Sequence, residues 1–213
     1  MKDYSRREIG LAASLSCVAG FVDAVGYLKL GGFFVSFMSG NSTRLGVGIG
    51  TGMLANAGRA AGLIALFLIG VILGALVSRW GRLRRGPVLA TEAALLGFGA
   101  ISFSLGWDLA GVTVLVLAMG VENAVFQREG EVAVGLTYMT GALVKAGQRL
   151  ATALTGGDRW AWSPYLILWA SLSCGAAIGA ASYLRFGAAV IWAVAVLLTV
   201  LAVRALALER ANA

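Results

Sequence analysis

The chain consists of long apolar runs separated by short charged or glycine-rich segments. Crossing about 30 Å of bilayer hydrocarbon requires about 20 apolar residues in a helix. Six runs reach roughly that length: Ile9–Leu28, Ala60–Ser78, Pro87–Leu105, Leu109–Phe126, Pro164–Leu184 and Gly187–Leu206. Because the runs are continuous and do not alternate with a period of two, the pattern predicts transmembrane α-helices and not a β-barrel.

Two further segments, Phe34–Leu54 and Val132–Leu154, are rich in glycine and contain charged residues. Arg44 lies inside the first, and Lys145 and Arg149 lie inside the second. A charge facing lipid costs several kcal/mol, so neither segment is expected to contact lipid along its whole length. We therefore predict an all-α membrane protein with six transmembrane helices and two re-entrant or broken segments, while seven or eight full crossings stay open as alternatives.

The chain also contains an internal repeat. A shift of about 100 residues superposes three blocks in the same order. These are Gly20, Asp23, Ala24 and Val25 on Gly120, Asn123, Ala124 and Val125; Met38, Ser39, Gly40, Arg44 and Gly46 on Met139, Thr140, Gly141, Lys145 and Gly147; and Gly70–Gly74 on Gly175–Gly179. The sequence thus predicts one transmembrane domain over residues 1–213, built from repeat one (1–106) and repeat two (107–213).

Composition narrows the class of protein. Apolar residues make up 59% of the 213 residues and charged residues only 13%, which is about half the charged fraction of a soluble domain. A soluble globular fold and a disordered chain are both excluded. The chain has no histidine, so it has no imidazole metal ligand and no histidine-based catalytic triad.

Charge distribution predicts the orientation. If each repeat crosses three times and the N-terminus is cytoplasmic, all but four of the 17 lysine and arginine residues lie inside; the four are Lys29, Arg44, Arg59 and Arg185. This arrangement agrees with the positive-inside rule. Both termini and the Arg79–Arg85 loop are therefore expected in the cytoplasm, and an odd number of crossings per repeat inverts the second repeat.

Asp23 is the first candidate functional residue. It shares one predicted helix face with Ser16, Gly20 and Tyr27, because their spacings are three or four residues. A carboxylate within the membrane is costly unless it is paired or hydrated. The alternative to a functional role is that Asp23 forms a structural ion pair or lies near the outer interface of the membrane. In the second repeat the matching face is predicted to carry Gly120, Asn123 and Gln127.

The two glycine-rich segments supply the other candidates. Each is expected to break at glycine and to start a short helix whose N-cap is Ser39 or Thr140. Such paired breaks in inverted halves indicate a transporter site; close helix packing through small residues is the alternative. We expect such packing of the two Gly-x-x-x-Gly motifs, Gly70–Gly74 and Gly175–Gly179. The predicted substrate-binding set is Asp23, Ser39, Gly40, Asn41, Arg44, Asn123, Thr140, Gly141 and Lys145. Arg44 and Lys145 are expected as charge partners or anion contacts.

Two other acidic residues lie in or beside apolar runs. Glu122 directly precedes Asn123, and we expect it to pair with Lys145 or Arg149. Glu92 is expected to be an acidic residue in the first turn of its helix, near the cytoplasm.

Three segments of the first repeat carry a resemblance to a known family: Gly20-Phe-Val-Asp-Ala-Val-Gly-Tyr-Leu28, Leu30-Gly-Gly-Phe33 and Met38-Ser-Gly-Asn41. They resemble the YoaK-like family of small bacterial inner-membrane proteins, which is defined by a domain of unknown function. The resemblance extends over nearly the whole chain. Where we expect threonine after the methionine in this family, the chain has Ser39. The resemblance implies a multi-pass protein of the bacterial inner membrane and brings no established reaction.

The sequence favours a small secondary transporter or permease for a small polar solute, coupled to protons or cations through Asp23. A structural or regulatory membrane protein that acts through partner proteins is the alternative. An enzyme is not expected, and neither a cofactor nor a metal is predicted. The expected partners are the lipid bilayer and the solute; nucleic acid is not expected, and a homo-oligomer stays open.

Overall fold

In a computed structural model of the protein, the described residues are 5–79, 85–128, 131–132 and 135–211. They form eight α-helices: α1 (Arg6–Lys29), α2 (Met38–Gly50), α3 (Leu54–Arg79), α4 (Arg85–Ser104), α5 (Asp108–Glu122), α6 (Met139–Leu154), α7 (Ser163–Phe186) and α8 (Ile191–Ala211). A short 3-10 helix, Gly187–Val190, joins α7 to α8. The two-residue strands β1 (Gln127–Arg128) and β2 (Glu131–Val132) pair antiparallel, with Gln127 opposite Val132.

Among the described residues, four stretches are long and apolar enough to cross a membrane: Arg6–Lys29, Leu54–Arg79, Arg85–Ser104 and Ser163–Ala211. The last of these has 49 residues and contains both α7 and α8. The predicted runs therefore correspond to helices α1, α3, α4, α7 and α8 within a few residues, and the chain is an all-helical, multi-pass membrane protein.

Helix α5 is shorter than the sequence predicts. It has 15 residues and ends at Glu122, not at Phe126, so it is about 22 Å long. Asn123 caps its end, where the side-chain amide donates a hydrogen bond to the carbonyl of Met119. Residues 123–126 then form turns that lead into β1. Gln127 consequently does not continue the helical face of Gly120, as the sequence had predicted.

Glycines bring two pairs of helices into backbone contact. A Cβ atom on Gly175 of α7 would overlap the backbone carbonyl of Cys17 in α1, and Gly179 is equally close to Phe21. Since both contacts advance together along the chains, α1 and α7 run parallel. Gly70 of α3 approaches Leu117 of α5 in the same manner. The glycine motifs are therefore packing motifs, as predicted.

A second contact fixes the direction of α3 against α5. Gly74 of α3 meets Val121 of α5. Because Gly74 follows Gly70 by four residues and Val121 follows Leu117 by four, these two helices are also parallel.

Polar contacts join helix ends at both ends of the bundle. Lys29 Nζ lies 2.8 Å from Asp108 Oδ1, which places the C-terminus of α1 beside the N-terminus of α5. At the opposite end, Arg85 Nη2 lies 2.6 Å from Glu8 Oε1, which joins the N-termini of α1 and α4. Glu209, near the C-terminus of α8, accepts hydrogen bonds from the backbone amides of Arg85 and Gly86. Helices α1 and α5 thus run in opposite directions.

The core lies between α1, α4, α5 and α8. Its largest fully buried side chains include Leu15, Leu89, Leu115, Met119 and Leu198. Helices α2 and α6 flank this core and are mostly exposed. Their predicted caps, Ser39 and Thr140, are wrong. Each helix begins at a methionine, so the N-cap residues lie two residues earlier, at Phe37 and Tyr138, and neither makes a side-chain capping bond.

Candidate functional site

A chamber of about 720 Å³ lies between α1, α7 and the N-terminal ends of α2 and α6. Its size is within the range of pockets that bind small molecules. The lining residues come from both halves of the chain: Gly20, Asp23, Ala24, Tyr27, Leu28, Phe34, Ser36, Phe37, Thr137, Met139, Thr140, Leu143, Trp169, Leu172, Ala176 and Ala180.

The walls of the chamber are mainly apolar and partly aromatic. The rings of Tyr27 and Phe34 are 5.0 Å apart, and those of Phe34 and Phe37 are 5.2 Å apart and nearly perpendicular. Trp169 of α7 adds a fourth aromatic ring. Such a surface favours an apolar or cationic group over an anion.

Asp23 is the acidic residue of the lining, and its carboxylate holds the chain that enters α2. Its Oδ1 atom accepts hydrogen bonds from the backbone amides of Val35 and Ser36, both at 2.8 Å. The carboxylate thereby satisfies amides that precede the first turn of the helix, where negative charge is favourable. Asp23 therefore has a structural role in addition to any contact with a solute.

Asn41 forms hydrogen bonds with the same segment, the chain that precedes α2. It is fully buried; its Oδ1 accepts from the backbone amide of Phe34 at 3.0 Å, and its Nδ2 donates to the Phe34 carbonyl at 2.7 Å. Gly40 packs under the rings of Phe34 and Phe37, where a Cβ would be too close. These two residues shape the wall of the chamber but do not line it.

The segment before α6 has a weaker version of this arrangement. Asn123 is buried, and its Oδ1 accepts a long hydrogen bond, 3.5 Å, from the hydroxyl of Thr137. Ser16 of α1 donates to the backbone carbonyl of Leu136 at 3.2 Å. Asn123 therefore supports the loop before α6 and does not itself line the chamber.

The predicted binding residues divide into two groups. Asp23 and Thr140 line the chamber, and Gly40, Asn41 and Asn123 lie behind its walls. The remaining predicted residues, which are Ser39, Arg44, Gly141 and Lys145, are not among the lining residues.

The prediction that Arg44 and Lys145 are charge partners is wrong among the described residues. The guanidinium carbon of Arg44 lies 5.1 Å from the centre of the Phe33 ring. Lys145 is exposed on α6. The carboxylate of Asp23 is bound by backbone amides, which perform the role that a basic side chain was expected to perform.

A comparison with protein-family models matches residues 11–204 to the family described as protein of unknown function (DUF1275). The chain belongs to this family. It is also similar to the UPF0700 transmembrane protein RA0705 of Rhizobium meliloti (strain 1021), with 32% identity over 88% of this chain and 82% of the relative.

A second relative of this DUF1275 protein is the UPF0700 transmembrane protein YoaK of Bacillus subtilis (strain 168). The two are 28% identical over 61% of this chain and 62% of the relative. No solved structure matches the chain. The expected resemblance to the YoaK-like family is thus confirmed, and the family carries no assigned activity.

Two buried glutamates of the DUF1275 chain are placed differently from the prediction. Glu92 lies two turns inside α4 and is fully buried, so it is not a first-turn acid. Glu122 is also fully buried, and no ion pair joins it to Lys145 or Arg149, which are exposed in the described structure. An acidic residue within an apolar helix is the sequence feature that could have identified each glutamate as functionally important. The sequence does not show, however, that the two glutamates lie near each other.

Proposed function

We propose that this protein is a small secondary carrier whose solute binds in the chamber between α1, α7, α2 and α6. The observation that carries the proposal is the chamber itself, because residues at the N-terminal ends of two short helices, α2 and α6, line it together. Irregular backbone at membrane depth is tolerated where it lines a cavity, and transporter sites have this construction.

The proposed architecture has six crossings, two re-entrant helices and two inverted repeats. Helices α1 and α5 are equivalent in the sequence repeat and run in opposite directions, which supports inversion. Helices α2 and α6 contain the charged residues Arg44, Lys145 and Arg149, and a charge within the hydrocarbon is costly; this supports re-entry of these two helices. Because α2 follows α1 and α6 follows α5, which run in opposite directions, the two would enter from opposite sides. We further propose the bacterial inner membrane as the location, with both termini in the cytoplasm.

The solute that best fits the chamber is small and amphipathic. Aromatic and aliphatic walls favour an apolar body, and the polar groups of Asp23, Ser36, Thr137 and Thr140 favour a hydrogen-bonding end. Since the described lining includes one acidic residue and no basic residue, that end is neutral or cationic. Catalysis forms no part of the proposal.

Binding in the chamber is testable with a thermal-shift screen of the purified protein against small amphipathic amines, alcohols and amides. A ligand at 100 times its Kd stabilises the folded state by about 2.7 kcal/mol. Ala180 lines the chamber, and Ala181, the next residue of α7, is exposed on another face. Ala180→Phe should therefore abolish the shift, whereas Ala181→Phe should retain it.

Transport needs a separate measurement. A compound that stabilises the wild type should enter proteoliposomes containing the wild type and the Ala181→Phe variant, but not those containing Ala180→Phe. Equal binding by both variants would refute the chamber as the site. Binding without any uptake would instead favour a structural or regulatory membrane protein that senses the solute.

A further inference from the structure

Two glutamates are buried in the core outside the chamber. Glu92 lies in α4, and Glu122 is the last residue of α5; both have 0% exposure. Within the part of the chain that the structure describes, none of their four carboxyl oxygens has a hydrogen-bond partner. Unpartnered buried polar atoms are rare in native proteins, and each one requires a physical explanation.

The two glutamates lie opposite each other on neighbouring helices. Gly99 of α4 lies against Leu115 of α5, and Phe103 of α4 lies against Gly111, so the two helices are antiparallel. Continued by seven residues along each helix, this register places Glu92 opposite Glu122. Both groups lie in the apolar core that contains Leu89, Leu96 and Met119. The pair is thus held in a region of low dielectric constant, where like charges repel strongly.

Charged side chains on the neighbouring helices are engaged elsewhere or exposed. Arg85 of α4 binds Glu8 of α1, and its guanidinium carbon lies 5.1 Å from the centre of the Phe126 ring. Glu209 of α8 accepts from backbone amides at the start of α4. Asp23 of α1 lines the chamber and accepts from backbone amides. The rest of the described charged groups on the packed helices are exposed or lie at the other end of the bundle: Arg6, Arg7, Arg59, Arg79, Arg204 and Arg210, and the Lys29–Asp108 pair.

Two ionised carboxylates without donors would be too costly to keep in this environment. We propose that the Glu92–Glu122 pair binds one positive charge, either a proton shared between the carboxyl groups or a small monovalent cation. The pair forms a site separate from the chamber, whose lining includes neither glutamate. A single positive charge supplies the partner that the described side chains do not.

This site does not depend on the proposed transport, because it exists in the protein without a solute. In a carrier, however, the glutamate pair, and not Asp23 as the sequence predicted, would couple solute transport to protons or cations. The carboxylate of Asp23 already binds two backbone amides, whereas the glutamate pair has no such bonds among the described residues.

Infrared spectroscopy of the purified protein in lipid nanodiscs, with no solute present, tests the site. A shared proton predicts a C=O stretching band of a protonated carboxyl group in the wild type, and this band is lost in the double variant Glu92→Gln/Glu122→Gln. Glu8→Gln is the control, because Glu8 is paired with Arg85 at the helix ends. It should leave the band unchanged.

Replacing choline chloride by sodium or potassium chloride at constant ionic strength distinguishes the cation from the proton. A bound cation predicts a higher melting temperature and a weaker protonated-carboxyl band in the wild type, with neither change in the double variant. If the wild type shows neither a protonated band nor a response to sodium or potassium, the proposal is refuted, and this result requires no variant to fold. The proposal would also be refuted if a folded double variant showed the same protonated-carboxyl band and the same response to sodium or potassium as the wild type.

Discussion

Replacing Gly70 by alanine tests the close approach of α3 and α5. A Cβ at this position would overlap the backbone carbonyl of Leu117 and lie 3.0 Å from the Leu117 Cα. Ordinary contacts begin at about 3.5 Å, and the obstructing atoms belong to backbone, which has no rotamer to change. The two helices must therefore move apart.

Gly62 in the same helix provides the matched control, because nothing lies within 4 Å of its added Cβ. Alanine is favoured over glycine within a helix by about 1 kcal/mol, and both variants receive this gain. The difference between them is then the cost of overpacking, which is about 1–3 kcal/mol. Since backbone is the obstacle, we expect about 2 kcal/mol, or roughly a 30-fold change in the unfolding equilibrium constant.

Reversible unfolding in mixed micelles, followed by tryptophan fluorescence, measures this difference. Gly20 and Gly10 form a second pair in α1: a Cβ on Gly20 would overlap the carbonyl of Leu172, whereas Gly10 has open space. The same ordering should hold for this pair. If Gly70→Ala is as stable as Gly62→Ala, then α3 and α5 do not meet through backbone contact, and the close parallel packing of these two helices is refuted.

The other predictions concern the entry to α2 and the orientation. Asp23→Ala should lower the free energy of unfolding by about 2 kcal/mol or more, because it leaves two backbone amides of the partly buried segment without an acceptor. Asp23→Asn keeps an acceptor oxygen and should remain folded. Equal thermal stability of the two variants would contradict the hydrogen-bonding role of Asp23. In a cysteine-free background, an impermeant thiol reagent added outside cells should label Leu105→Cys and not Arg79→Cys, and the reverse pattern would overturn the proposed orientation.

Length and hydropathy were sufficient to predict most helices, because the membrane requires long apolar segments and their ends carry charge. The glycines at residues 70 and 175 were correctly assigned to packing, but their partners could not be predicted. A glycine indicates that another backbone approaches, and it carries no information on which helix that backbone belongs to. The pairing of α1 with α7 and of α3 with α5 is therefore visible only in three dimensions.

Polar residues were harder to predict than helices. Asp23 was expected to face a basic side chain, whereas backbone amides at residues 35 and 36 satisfy it. Sequence patterns identify side-chain partners by charge but do not reveal free amides near a helix start. The end of α5 at Glu122 was missed for a similar reason, since the apolar run continues through Phe126 while the backbone turns.

The partnership of α1 with α7 has a consequence for biogenesis. Helix α1 ends at Lys29, and α7 begins at Ser163, so the ribosome must add more than half of the chain before the partner is made. At about 5–20 residues per second, this interval is on the order of 10 s. During that time the face of α1 that carries Cys17, Gly20 and Phe21, and the carboxylate of Asp23, have no α7 beside them. A nascent chain stalled before Ser163 should therefore expose this face to lipid or to the insertion machinery, and the first helix to enter the membrane is among the last to reach its final environment.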